Sequence, residues 1–101
     1  MKPHFALWYG HGLPSDPLAV GAGVELVRPG LIRVFVKDGA ARNELTCEAD
    51  VAPYDSIRIS FNEAGVNVFN IDRRIARVNL PDPHASASWP VGGEAKGVVL
   101  P

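Results

Sequence analysis

The sequence predicts an all-β protein, a small antiparallel β-sandwich or barrel of about five to seven strands with an extended C-terminal arm. Three observations carry that expectation. Apolar and polar residues alternate with period two over much of the first 80 residues. Turn dipeptides such as Pro29-Gly30 and Asp38-Gly39 recur between the alternating runs, at roughly the eight- to twelve-residue spacing of short antiparallel strands. Beyond Leu80 the periodicity stops.

The elements follow in order. His4, Phe5, Trp8, Tyr9 and His11 concentrate ring side chains near the start, as an N-terminal strand completing the core or as interface anchors. Pro14 and Pro17 mark an irregular connection. Leu18, Val20, Ala22, Val24 and Leu26 then share one side of a strand, opposite Gly21, Gly23 and Glu25. After the Arg28-Pro29-Gly30 turn, Ile32, Val34 and Val36 share a face, which makes 18–37 a hairpin. Leu45, Cys47, Ala49 and Val51 alternate with Glu44, Thr46, Glu48 and Asp50, a half-buried strand with an acidic outer face. Ile57, Ile59 and Phe61 alternate with Ser56, Arg58, Ser60 and Asn62, the cleanest amphipathic strand in the chain.

The stretch 66–80 is ambiguous. Val68, Ile71, Ile75 and Val78 suit one face of a helix, yet the segment is rich in Val, Ile and Asn, which form helices poorly. Two strands, Val66–Ile71 and Ile75–Leu80, joined at Asp72-Arg73-Arg74, are therefore expected. Residues 1–80 read as a single β-domain and 81–101 as an irregular C-terminal arm that docks on its own barrel or on a neighbour. Removing 81–101 is expected to abolish assembly and leave the β-domain folded.

Composition narrows the function classes. The chain has 101 residues, room for one domain, and ten Lys+Arg against eleven Asp+Glu leave a formal net charge of -1. That balance argues against a polybasic nucleic-acid arm. No apolar run is long enough for a membrane helix, and the first residues lack a secretory pattern, so a cytoplasmic location or one inside an assembled particle is expected. The single cysteine, Cys47, cannot form an internal disulfide.

Catalytic signatures are few. There is no G-x-S-x-G elbow, Walker loop or G-x-G-x-x-G run. His4, His11, His84 and Cys47 lack the short spacings that preset a zinc tetrahedron, so no metal and no cofactor is expected. Cys47 falls on the apolar side of its strand, where burial suppresses the thiolate. Asp82, His84 and Ser86 have triad residue types on a Pro-rich arm, a poor scaffold for a triad. Glu44, Glu48 and Asp50 line one strand face, as a solvated surface that discourages edge-to-edge pairing or as paired acid–base groups.

Binding features are more prominent. Arg73, Arg74 and Arg77 form a basic cluster beside Arg58, and most of the ten basic residues are Arg, which is suited to forked ion pairs at interfaces. The net charge and the lack of an RNP-type aromatic pattern argue against nucleic acid and for a protein partner. Trp89, isolated in a small and polar segment, reads as a docking anchor. The expected interface is thus Trp8, Tyr9, Arg58, Arg73, Arg74, Arg77 and Trp89. The sequence points to a non-catalytic structural or assembly protein, with a homo-oligomer or a larger protein assembly as partner and extended termini as latches. A phage or virus particle accessory protein has this build. A monomeric inhibitor or regulator that binds protein, and a small hydrolase using the acidic strand face, are the alternatives.

Overall fold

A computed structural model describes residues 3–81 and 86–101. These form eight strands and no helix, so no helix is long and apolar enough to cross a membrane. Strands β1 (Ala6–His11), β2 (Val20–Arg28), β3 (Leu31–Asp38) and β4 (Ala41–Glu48) make one antiparallel sheet in the order β1-β2-β3-β4. Strands β5 (Ser56–Asn62), β6 (Gly65–Asn70), β7 (Arg73–Asn79) and β8 (Glu94–Val98) make a second, in the order β7-β6-β5-β8. The two sheets pack face to face as a sandwich.

The alternation produces the core. Each strand must send every second side chain inward. Val20, Ala22 and Val24 of β2 and Ile32, Val34 and Val36 of β3 do so from the first sheet. Ile57, Ile59 and Phe61 of β5 meet them with Val66, Val68, Ala76 and Val78 from β6 and β7. β-Branched residues dominate this layer because their stiff side chains fit the pleated surface.

Turn chemistry sets the registers. Gly30 and Gly39 take φ of 84° and 68° in the β2–β3 and β3–β4 turns, values that side chains disfavour. In the β5–β6 turn the Asn62 carboxamide oxygen accepts the backbone N–H groups of Ala64 at 2.8 Å and Gly65 at 3.0 Å. The β6–β7 turn is different. Its first central residue, Ile71, takes φ of 58° and leaves its side chain 61% exposed. A β-branched residue there is strained.

The two-strand expectation for 66–80 holds, with the turn at Ile71-Asp72 and with Arg73 and Arg74 inside β7. Two expectations are corrected in detail. The acidic strand begins at Ala41, because a two-residue turn follows Asp38 and an edge strand needs no apolar run to be held. The segment 81–101 is not irregular throughout: β8 adds to sheet 2 beside β5. Its inner positions are Ala95 and Gly97, too small to register as an apolar period. A side chain at Gly97 would place its Cβ 2.8 Å from the Phe5 ring, so the glycine lets that ring close the core.

The termini close on the same domain. His4 and Leu100 exchange backbone hydrogen bonds of 3.0 and 3.1 Å. Trp89 is 4% exposed, rests 5.2 Å from Phe61 and donates Nε1–H to the Asn62 carbonyl at 2.8 Å. The expected docking anchor thus fills a pocket in its own sandwich.

Three outcomes follow for stability. Ile71→Gly relieves a left-handed residue and raises stability by about 1 kcal/mol, read as a higher thermal midpoint. Trp89→Ala lowers it by about 3 kcal/mol or more. Because β8 and Trp89 complete the sandwich, a chain ending at residue 80 is predicted to lose cooperative unfolding by circular dichroism, the opposite of the outcome expected from the sequence.

Candidate functional site

The outward face of sheet 2 gathers most of the free basic charge. The β8–β5–β6–β7 register lines up Lys96, Arg58, Phe69 and Arg74 in one row across the strands. The next row is Glu94, Ser60, Asn67 and Arg77. Cross-strand neighbours sit about 5 Å apart, so these side chains form one continuous surface.

Arg58 is the fixed member. Its guanidinium lies 4.3 Å over the Phe69 ring, and Nη1 reaches Glu94 Oε2 at 3.2 Å. Arg74 Nη1 reaches only the amide oxygen of Asn67 at 3.5 Å, and Arg77 Nε only that of Asn79 at 3.3 Å. Among the described residues no carboxylate pairs with Arg74, Arg77 or Lys96. A third row borders the basic ones: Val98 pairs with Ser56, and Ile71 donates its N–H to the Ser56 carbonyl at 2.9 Å. Val98 and Ile71 are 52% and 61% exposed, which gives the basic face an apolar margin.

Of the residues expected at the interface, Arg58, Arg74 and Arg77 come together here. Arg73 does not: it pairs with buried Asn70 at the strand end, near Asp55. Trp8 and Tyr9 leave β1 on opposite faces. Trp8 stacks on Phe35 outside sheet 1, with centroids 5.9 Å apart and planes 13° apart, and donates Nε1–H to the Gly12 carbonyl. Gly23, between them in the register, permits this, since a Cβ there would lie 2.4 Å from the Phe35 ring. Tyr9 turns inward against Phe61 at 5.3 Å. Phe69, Lys96, Ile71 and Val98 are not among the residues the sequence places at the interface. Phe69 was findable in principle: a hairpin turn at Asn62–Gly65 sets it opposite Arg58.

Among the described residues no three His, Cys, Asp or Glu side chains are placed to hold a metal. His84 and Asp82 lie outside the described residues, and Ser86 donates its backbone N–H to the Asp38 carboxylate at 2.8 Å. Cys47 directs Sγ at the Ile75 carbonyl, and burial raises its pKa, which opposes thiolate formation. Glu44 is held by Arg42 at 2.9 Å, and Glu48 stands four residues further along the same edge strand.

Asp55 has a structural task. Its carboxylate accepts the Ala52 N–H at 2.9 Å and the Asn70 side-chain N–H at 3.0 Å, while Asn70 also donates to the Asp50 carbonyl. The Ala52 bond, then the Asn70 bond and more weakly the charge of Arg73, lower its pKa. Compared with known proteins, the chain matches no family model, no curated protein and no solved structure.

Because the folded-state pKa of Asp55 lies below its unfolded value of about 3.9, its contribution is full above that pH and is lost as pH falls through the folded value. Asp55→Asn therefore destabilises the protein at neutral pH and flattens the acid limb of a stability-versus-pH curve measured by urea unfolding.

Proposed function

We propose that this chain is a non-catalytic structural or assembly protein that docks on an acidic surface of a neighbouring protein through the outward face of sheet 2. The observation that carries the reading is the row Lys96, Arg58, Phe69 and Arg74 with Arg77 beside it, basic side chains that, apart from Arg58, have no carboxylate partner among the described residues. Arg and aromatic residues with an apolar margin are the composition of protein interfaces. The Arg58–Phe69 stack supports it further, because a pre-ordered guanidinium loses little conformational freedom when a partner carboxylate arrives. This reading assigns docking to the sheet 2 face rather than to the termini, where His4 and Leu100 pair with each other.

The double variant Arg74→Glu and Arg77→Glu tests the reading. Its thermal midpoint stays within a few degrees of wild type, since both side chains are exposed. Quantitative capture from the native source, compared with wild type, loses the partner that wild type retains, and capture weakens with added salt. Equal capture by both proteins refutes docking at this face.

A further inference from the structure

We infer that the open edge of β4 pairs with β4 of a second copy, in antiparallel orientation about a twofold axis at Leu45. The inference stands on the other sheet and is independent of the docking face on sheet 2.

The edges of the sandwich are not alike. β7 offers the carbonyls of Ile75 and Asn79 sideways, and β4 side chains meet both: Cys47 Sγ approaches Ile75 O at 3.9 Å and Asn43 Nδ2 donates to Asn79 O at 2.9 Å. β7 is also kinked by a register shift opposite Val68/Phe69. On the opposite side, the His4–Leu100 pair joins the N-terminal segment to the end of the chain beyond β8. β4 differs from these. It is the longest of the edge strands at eight residues, its register with β3 is unbroken from Ala41 to Glu48, and, as for the other edge strands, no described strand pairs with its other side.

Register decides which backbone groups that edge presents. Ala49 donates its N–H to the Gly30 carbonyl at 3.0 Å, continuing the β3–β4 ladder. Hydrogen-bonded pairs alternate along an antiparallel ladder, so the odd-numbered residues of β4 face β3. The N–H and C=O groups of Arg42, Glu44, Thr46 and Glu48 therefore face outward along the free edge.

Charge then selects one alignment and one occupant. With Leu45 opposite Leu45 of the second copy, Arg42 faces the second copy's Glu48, and Glu44 faces its Thr46. The twofold repeats both contacts. All outward-facing backbone groups find partners, because even positions meet even positions. Leu45, 38% exposed here, meets its own equivalent at a non-hydrogen-bonded pair, where side chains approach most closely. A shift of two residues one way sets Glu44 against Glu44, and the other way sets Glu44 against Glu48. A shift of one residue matches outward groups with inward ones and exchanges the faces. Of these alignments only the one centred on Leu45 opposes unlike charges without opposing like ones, and the pairing extends sheet 1 into one eight-stranded sheet across two copies.

Light scattering coupled to size exclusion, over a hundredfold concentration range, tests this on the full chain. Wild type shows a dimer mass that dissociates on dilution. Thr46→Pro removes an N–H that points outward and no internal hydrogen bond, so it gives a monomer with an unchanged far-ultraviolet spectrum. Arg42→Glu sets like charges opposite each other twice and raises the dissociation constant about tenfold or more. Adding Glu48→Arg to Arg42→Glu restores dimerisation to near the wild-type value. A wild-type monomer at every concentration overturns the inference, as does a dimer that survives Thr46→Pro in a folded protein. A doubly exchanged variant no tighter than Arg42→Glu alone overturns the register. Dimerisation lost in Arg74→Glu/Arg77→Glu but kept in Thr46→Pro moves self-association to sheet 2; it refutes the β4 pairing and leaves the proposed docking face standing.

Discussion

Everything in this fold depends on burying one face of each sheet against the other. Val34, Val36, Ile59, Val66 and Val68 are fully buried between the sheets, and none has a polar group to satisfy. A chain of this size holds only a modest core, so few residues are spare. That explains why the last part of the chain is recruited. Trp89 and Val99 are buried in the same layer, and β8 supplies the strand that flanks β5. The hydrogen bond from Trp89 to the Asn62 carbonyl lets a large ring with one polar atom enter that layer without an unmet donor.

Once the inner faces are committed, the outer faces are free to differ, and they do. Outside sheet 1, Trp8 and Phe35 stack across Gly23, Arg42 caps the Phe35 ring at 5.4 Å, and Arg33 is paired with Glu25. Lys37 is buried beneath the β1–β2 connection, where it donates to the carbonyls of Pro14 and Asp16. The charges of this face are therefore largely satisfied within the chain. Outside sheet 2, Arg58 is satisfied, while among the described residues Arg74 and Arg77 have only amide partners. A formal net charge of -1 averages these two unlike surfaces and conceals the basic one.

Edges follow the same division. Asn43 and Cys47 point inward from β4 and bridge to backbone carbonyls of β7, so the gap between the sheets on that side is closed by side chains of the very strand whose outer edge stays open. The acidic residues of β4 look like protection against indiscriminate pairing. Their positions around Leu45 give that protection one self-complementary exception, because Arg42 and Glu48 are equidistant from Leu45 while Glu44 has Thr46 opposite. Strain marks one further place: Ile71 holds a left-handed conformation close to that of Gly39 in the β3–β4 turn, and its exposed side chain adds to the apolar margin of the sheet 2 face.

Local alternation and turn residues determined the all-β class, the hairpin through Pro29-Gly30, the amphipathic strand from Ser56 to Asn62 and the division of 66–80 into two strands. These are short-range properties: side-chain period and permitted φ are decided within a few residues. The sequence also singled out Arg58, Arg74 and Arg77, since charge is visible without a fold. Their union with Phe69 and Lys96, the separation of Arg73, and the inward turn of Tyr9 and Trp89 were decided by tertiary structure alone. Cross-strand register joins residues that are distant along the chain, and a one-residue change reverses every face. Period two tells which residues share a side of a strand; only sheet pairing tells whether that side meets the core, a neighbouring charge or the solvent.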